Sequence, residues 1–175
     1  MAMDGFGRRS GSARGESAPV FTAIFMVCIG LLAYALVLQH LDGLDPCPWC
    51  VVQRLGFIGI GLLALVAALH RPGNIGTAIY AFFGGLVAAA GVAAAGYHIW
   101  IQSDPVRAMA CAGSPVERIL DASKIGKMIP PLLQYDGLCT IKPWKFLALS
   151  IPEWSLVWFV ILLVTFIATP LLFRK

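Results

Sequence analysis

Charge is scarce in this chain. Thirteen basic and nine acidic residues are spread over 175 positions, 13% of the total, while 59% of residues are hydrophobic. A soluble domain carries about 25% charged residues on its surface and in its clefts. The mean hydropathy of +0.81 therefore points to lipid as the solvent. The basic residues form no run interleaved with aromatics, which argues against a nucleic-acid partner. Internal repeats and low-complexity tracts are absent. The inverted repeats and broken helices of transporters are absent too. No small-residue cleavage site follows the first apolar run, and that run is too long for the core of a signal peptide. It is read as a retained helix, preceded by a polar tail at 1–17 rich in Gly, Ser and Arg and expected to be disordered.

What is present are four long stretches almost free of charge: Ala18 to Leu41, Cys47 to His70 with Arg54 as its one charge, Pro72 to Ser103, and Trp154 to Phe173. A helix needs about 20 apolar residues to cross the hydrocarbon layer, and lipid offers no partner to an unpaired backbone group. The expected fold is an all-α membrane protein, a four-transmembrane-helix up-down bundle with a long periplasmic loop. Helices are expected at about 18–41, 49–70, 74–101 and 154–173. The loops between them on the outer face are expected at about 42–48 and 102–153, with 18–175 as one membrane domain. Small residues recur in the third span (Gly84, Gly85, Ala88, Gly91, Ala95, Gly96) and are read as close helix packing.

Four spans put both termini on one side. That side carries Arg8, Arg9, Arg14, Arg71, Arg174 and Lys175 close to helix ends. The other carries Arg107, Arg118, Lys124, Lys127, Lys142 and Lys145, spread along the long loop. The positive-inside rule weights short flanks, so the termini are expected in the cytoplasm of a bacterium and the chain in its cytoplasmic (inner) membrane. The stretch Ile141-Lys142-Pro143-Trp144-Lys145-Phe146-Leu147 mixes lysines with aromatics, as segments in the headgroup plane do.

Cysteine is the reactive residue here. Cys28 lies mid-span and reads as a small hydrophobe. Cys47, Cys50, Cys111 and Cys139 all fall on the outer side, where disulfides persist. Cys47-Pro48-Trp49-Cys50 opens the second span. Thiols at a helix N-terminus are favoured as thiolates, and the thiolate is the species that exchanges disulfides. The competing readings are a static staple or a metal site. Zinc would require further ligands, and the long loop has no His to accompany Cys111 and Cys139, so no metal is expected. A Cys111–Cys139 bond would be either a structural staple or a catalytic pair.

Arg54 is four residues after Cys50, on the same helix face. A charge inside a span either snorkels to the headgroups or serves a function, here stabilising an anion such as the Cys50 thiolate or a reduced ring oxygen. No acidic residue in its span can pair with it. His98 and Gln102, also four apart, are either interfacial polar residues ending a helix or hydrogen-bond donors to a lipophilic ring carbonyl. Trp100 fits an aromatic belt.

These residues resemble the DsbB family of disulfide-bond-formation proteins over essentially all of the chain after residue 17. The resemblance lies in the four spans, the C-x-x-C opening the second with Arg54 following, the two cysteines of the long loop, and the pattern Trp144-x-Phe146-Leu147 to Pro152-Glu153-Trp154. It implies a route. A periplasmic thioredoxin-like disulfide donor (DsbA-like) is reoxidised by the Cys111–Cys139 disulfide, with Cys111 forming the mixed disulfide. Cys139 then exchanges with Cys47, and Cys50 faces a membrane quinone (ubiquinone or menaquinone) near Arg54. The resemblance places His98 and Gln102 among quinone-site residues. The sequence departs from the family at Gln53, where a well-known member carries an acid. The rival readings are a vitamin K epoxide reductase-like protein, disfavoured because its C-x-x-C belongs to a later helix, and a small transporter or assembly subunit with structural disulfides.

Overall fold

The computed structural model describes residues 15–43, 45–109, 115–123, 130–133, 135 and 145–173. Among them, four helices are long and apolar enough to cross a membrane: α1 (Ala18–Leu41), α2 (Pro48–His70), α3 (Asn74–Gln102) and α7 (Ile151–Leu172). Three short helices, α4 (Pro105–Met109), α5 (Pro115–Ser123) and α6 (Pro130–Leu133), lie between α3 and α7, with an antiparallel hairpin of β1 (Lys145–Phe146) and β2 (Leu149–Ser150).

Cross-helix contacts fix the directions of the long helices. Ser17 at the start of α1 meets Thr77 at the start of α3 at 2.9 Å, while Gln39 near the end of α1 meets Arg54 near the start of α2. Gly84 and Gly91 of α3 meet Phe166 and Phe159 of α7, in reverse order. The helices therefore alternate up and down, as expected. Their packing is inside-out relative to a soluble bundle. Ile29, Leu62, Phe82, Phe83, Leu86 and Val164 are exposed, whereas small residues and aromatics fill the interior. The Phe57 and Phe159 rings stack at 4.1 Å. A Cβ at Gly84 or Gly91 would lie 2.4 Å from Phe166 or Phe159. Two of the small residues in the third span are thus seats for rings of α7, a specific form of the close packing expected there. Cys28 is fully buried among these hydrophobics. Of the four long helices α2 is the most enclosed and α1 the least.

Several boundaries differ from expectation, each for a local reason. Helix α7 starts at Ile151, three residues early, because Glu153 is a capping residue. Its Oε2 accepts the Ser150 N–H and hydroxyl, both at 2.6 Å, in a capping box. Helix α2 includes Pro48, whose fixed φ suits a first helical position. It ends where Arg71 turns left-handed (φ 47°) ahead of Pro72. The expected loop at 102–153 contains helices that begin at Pro105, Pro115 and Pro130. Proline suits a first helical position, where its missing N–H costs nothing. The expected disordered tail lies outside the described residues up to position 14. At 15–17 it is corrected: Ser17 is buried and bonded to Thr77, so the chain is already packed there. Of the lysine-aromatic segment at 141–147, positions 141–144 lie outside the described residues. The remainder enters the hairpin, where Phe146 and Leu147 are exposed.

Candidate functional site at the N-terminus of helix α2

The site begins with a turn. Cys47 caps α2 in extended conformation (φ −85°, ψ 167°). Its carbonyl accepts the N–H groups of Cys50 and Val51 at 2.9 and 3.2 Å. This turn folds the two side chains towards each other. The sulfurs are 3.3 Å apart as free thiols, and Cys47 donates to Cys50. That donation, and then burial, raise the Cys47 pKa well above the ordinary thiol value. Cys47 keeps its proton, and Cys50 receives it as a hydrogen bond.

His98 reaches the pair from α3. It is 1% exposed, so it is a core group and not the interfacial helix end that spacing left open. Its Nε2 lies 3.5 Å from Cys47 Sγ and 3.3 Å from the Gln102 carboxamide nitrogen. Its Nδ1 lies 3.1 Å from Gln53 Nε2. A neutral imidazole offers one donor and one acceptor. Two carboxamide N–H groups cannot both donate to it, so one of the two glutamines presents its oxygen.

Arg54 is 8% exposed and does not snorkel. Its Nη1 donates to Gln39 Oε1 of α1 at 2.7 Å and to the Leu132 carbonyl of α6 at 2.8 Å. Both partners are neutral, so among the described residues the positive charge is held in place without being cancelled. It lies within electrostatic reach of both thiols. No described residue accepts from its Nε or Nη2. Trp49, tilted against Tyr97 at 4.7 Å, has a buried indole N–H without a partner among the described residues.

Above this turn, Leu120 of α5 and Leu133 of α6 close over fully buried Val51. The Tyr135 hydroxyl donates to Asp121, tying the segment after α6 to α5. Cys111 and Cys139 lie outside the described residues.

The structure thus brings Cys47, Cys50, His98 and Gln102 together, with Arg54 one turn below. Sequence reasoning missed two residues. Gln53, noted only as a departure from a family pattern, is the buried partner of His98. Gln39, an amide near the end of the first span on the same side as Arg54, is the partner of that guanidinium. The available signal was a polar residue inside an apolar span, the same signal that singled out Arg54.

The profile of the family described as "Disulfide bond formation protein DsbB" matches residues 17–169. A protein of Herminiimonas arsenicoxydans named disulfide bond formation protein B is 40% identical over 162 residues, covering 91% of this chain and 98% of the relative. The protein of that name from Marinobacter nauticus is 40% identical over 145 residues, 83% of this chain and 86% of the relative. The one from Aromatoleum aromaticum is 44% identical over 138 residues, 79% and 82% respectively.

Proposed function

The chain belongs to the DsbB family of disulfide bond formation proteins, and from this premise we propose that it reoxidises a thioredoxin-like disulfide donor (DsbA-like) and delivers the electrons to a membrane quinone. The coarser activity follows from the family: a membrane-embedded oxidoreductase that forms disulfides. The observation that supports the finer reading is the thiol pair at a helix N-terminus with an uncancelled, buried guanidinium one turn below it.

In this reading a thiolate of the reduced donor attacks the Cys111–Cys139 disulfide. A mixed disulfide with Cys111 forms, and the Cys139 thiolate leaves. The donor's second thiol resolves the mixed bond, which leaves the donor oxidised and Cys111 and Cys139 reduced. Cys139 then attacks Cys47 of the closed Cys47–Cys50 pair. Closure of Cys111–Cys139 releases Cys47 and leaves Cys50 as the terminal sulfur. Each exchange moves one electron pair and conserves the number of disulfides. Closure of Cys47 and Cys50 to a disulfide releases two electrons and two protons, which a bound quinone, ubiquinone or menaquinone, would accept. The chain's part is positional and electrostatic. Arg54 Nε and Nη2 can donate to an oxygen that gains negative charge, and the Trp49 N–H is a further candidate donor. Gln102 holds His98 against Cys47, and its part-buried carboxamide can donate to a ring carbonyl. The low dielectric around α2 strengthens each of these interactions.

The reading also assigns the location: the bacterial cytoplasmic membrane, with both termini in the cytoplasm and the cysteine end outside. It is supported by the crowding of arginines near the opposite helix ends.

The test is anaerobic quinone reduction by purified protein in detergent, followed by ultraviolet absorbance, with a reduced thioredoxin-like protein as the electron source. One quinone should be consumed per donor disulfide formed. Donor oxidation without quinone consumption would sink the proposal. An alkaline phosphatase reporter fused after Lys175 should be inactive, since that enzyme matures only outside the cytoplasm.

A further inference from the structure

Cys47 Sγ, Cys50 Sγ and His98 Nε2 lie within 4.8 Å of one another. Spacing in the sequence argued against a metal because no His accompanies the loop cysteines. The fold supplies the missing ligand from α3. We propose that the reduced site is a redox-gated trap for one soft divalent cation of the zinc type, held by Cys47 Sγ, Cys50 Sγ and His98 Nε2.

The geometry is close to what such an ion requires. Zn–S bonds of about 2.3 Å and a Zn–N bond of about 2.1 Å at tetrahedral angles place the sulfurs roughly 3.8 Å apart, and sulfur and nitrogen roughly 3.6 Å apart. The observed separations are 3.3 Å between the sulfurs and 3.5 Å from Cys47 Sγ to His98 Nε2. Cys50 Sγ and His98 Nε2 lie within 4.8 Å, so the fit requires the thiol pair to open by about 0.5 Å and half-buried Cys50 to bring its sulfur to roughly 3.6 Å from Nε2. The Gln102 carboxamide, already beside Nε2, or a water completes four-coordination.

The surroundings suit the metal-bound tautomer. An imidazole bound through Nε2 carries its proton on Nδ1, and Gln53 stands at Nδ1 with a carboxamide whose oxygen can accept it. Charge also balances. Two thiolates neutralise a divalent cation, so Arg54 is not opposed by a net positive site.

Binding displaces two thiol protons, one from each cysteine, and moves no electrons. The trapped site is therefore still reduced, and it must lose the cation before a Cys47–Cys50 disulfide can form. Once that disulfide has formed no thiolate remains, and the trap is gone. The cation and the oxidant compete for the same sulfurs.

The test uses the full chain carrying Cys111→Ser and Cys139→Ser, so that the loop thiols cannot bind metal. The protein is reduced in detergent, freed of reductant under argon, and titrated with Co2+ as a spectroscopic probe, then with Zn2+ against a chromophoric chelator. We expect one Co2+ per chain, with thiolate-to-cobalt charge-transfer bands and the d–d bands of a tetrahedral ion. Oxidation with diamide should abolish binding. His98→Ala should weaken Zn2+ binding at least tenfold, and Gln53→Ala by about tenfold through loss of the outer partner. X-ray absorption of the Zn2+ complex, which needs no change at His98, should show two sulfurs and an imidazole. Absence of stoichiometric binding, binding that survives oxidation, unchanged affinity in a folded His98→Ala protein, or a coordination shell without imidazole would each overturn the proposal. Since the readout is metal occupancy, none of these outcomes depends on the quinone reading.

Discussion

Gln53 Nε2 sits 3.1 Å from His98 Nδ1, and both side chains are almost completely buried. This contact joins α2 to α3 at the depth of the cysteines. It also fixes the face that His98 turns towards Cys47. Removing the amide leaves a buried imidazole nitrogen unsatisfied, at a cost of about 1–3 kcal/mol. Gln53→Leu should lower the thermal midpoint of the purified protein by several degrees. It should also slow exchange at Cys47, because the ring is no longer held. A Gln53→Leu protein with wild-type melting and wild-type exchange would show that the contact is incidental.

Arg54 has two duties in this structure, towards α6 and towards the thiols. Arg54→Ala should slow quinone reduction by one to two powers of ten, the loss of a charge-assisted contact worth about 1.5–3 kcal/mol. Arg54→Lys should keep part of the rate, because the charge remains while the planar fork is lost. The bond to the Leu132 carbonyl predicts a second effect. Limited proteolysis within 124–135 should be faster in Arg54→Ala than in the parent. Stopped-flow quinone reduction and a timed digest separate the two duties.

The cysteines should divide four to one. Ser in place of Cys47, Cys50, Cys111 or Cys139 should abolish turnover with the donor. Cys28, fully buried in the apolar core, should tolerate Ala with activity intact and a stability loss of about 1 kcal/mol for the small void. Full turnover by Cys111→Ser or Cys139→Ser would reduce the loop pair to a staple.

Gly84 and Gly91 should resist substitution more than any other small residue of α3. A Cβ at either would be 2.4 Å from a phenyl carbon of α7, and overpacking of this kind costs about 1–3 kcal/mol. Gly91→Ala should lower thermal stability, and Gly91→Ala with Phe159→Leu should recover part of it. Gly96, which has nothing within 4 Å of its missing Cβ, is the control and should accept Ala without loss. Equal melting of Gly91→Ala and Gly96→Ala would contradict the ring-seat packing.

The spans were legible in the sequence because a bilayer imposes a length on any uncharged run, and the C-x-x-C was legible because its spacing is local. The alternation of small residues in α3 announced close packing but not the rings that occupy it, which come from α7. The partners of Arg54 were not legible for the same reason. Gln39 and Leu132 are 15 and 78 positions away, and nothing in either segment alone points to the other. His98 was legible as a polar residue in a span. Its burial against Cys47 was not, since helical spacing gives the face of α3 but not the neighbour it meets. Glu153 misled through its charge. At a helix N-terminus a carboxylate is favourable, so the charge marks the start of α7 and not the end of a loop.

The packing of α5 and α6 on Val51 has a kinetic consequence. Val51 follows Cys50 directly, and Val116 and Tyr135 belong to the cluster around it. Cys111 is five positions before Val116, and Cys139 is four positions after Tyr135. At about 3.5 Å per residue, these tethers keep each loop cysteine within roughly 18 and 14 Å of its anchor. Sulfurs leashed so closely meet at an effective concentration of order millimolar, whatever the amount of protein in the membrane. The proposed exchange between the loop pair and Cys47 would then be a first-order event. Its rate is set by how often the leash brings sulfur to sulfur, and dilution of the protein in lipid leaves that rate unchanged.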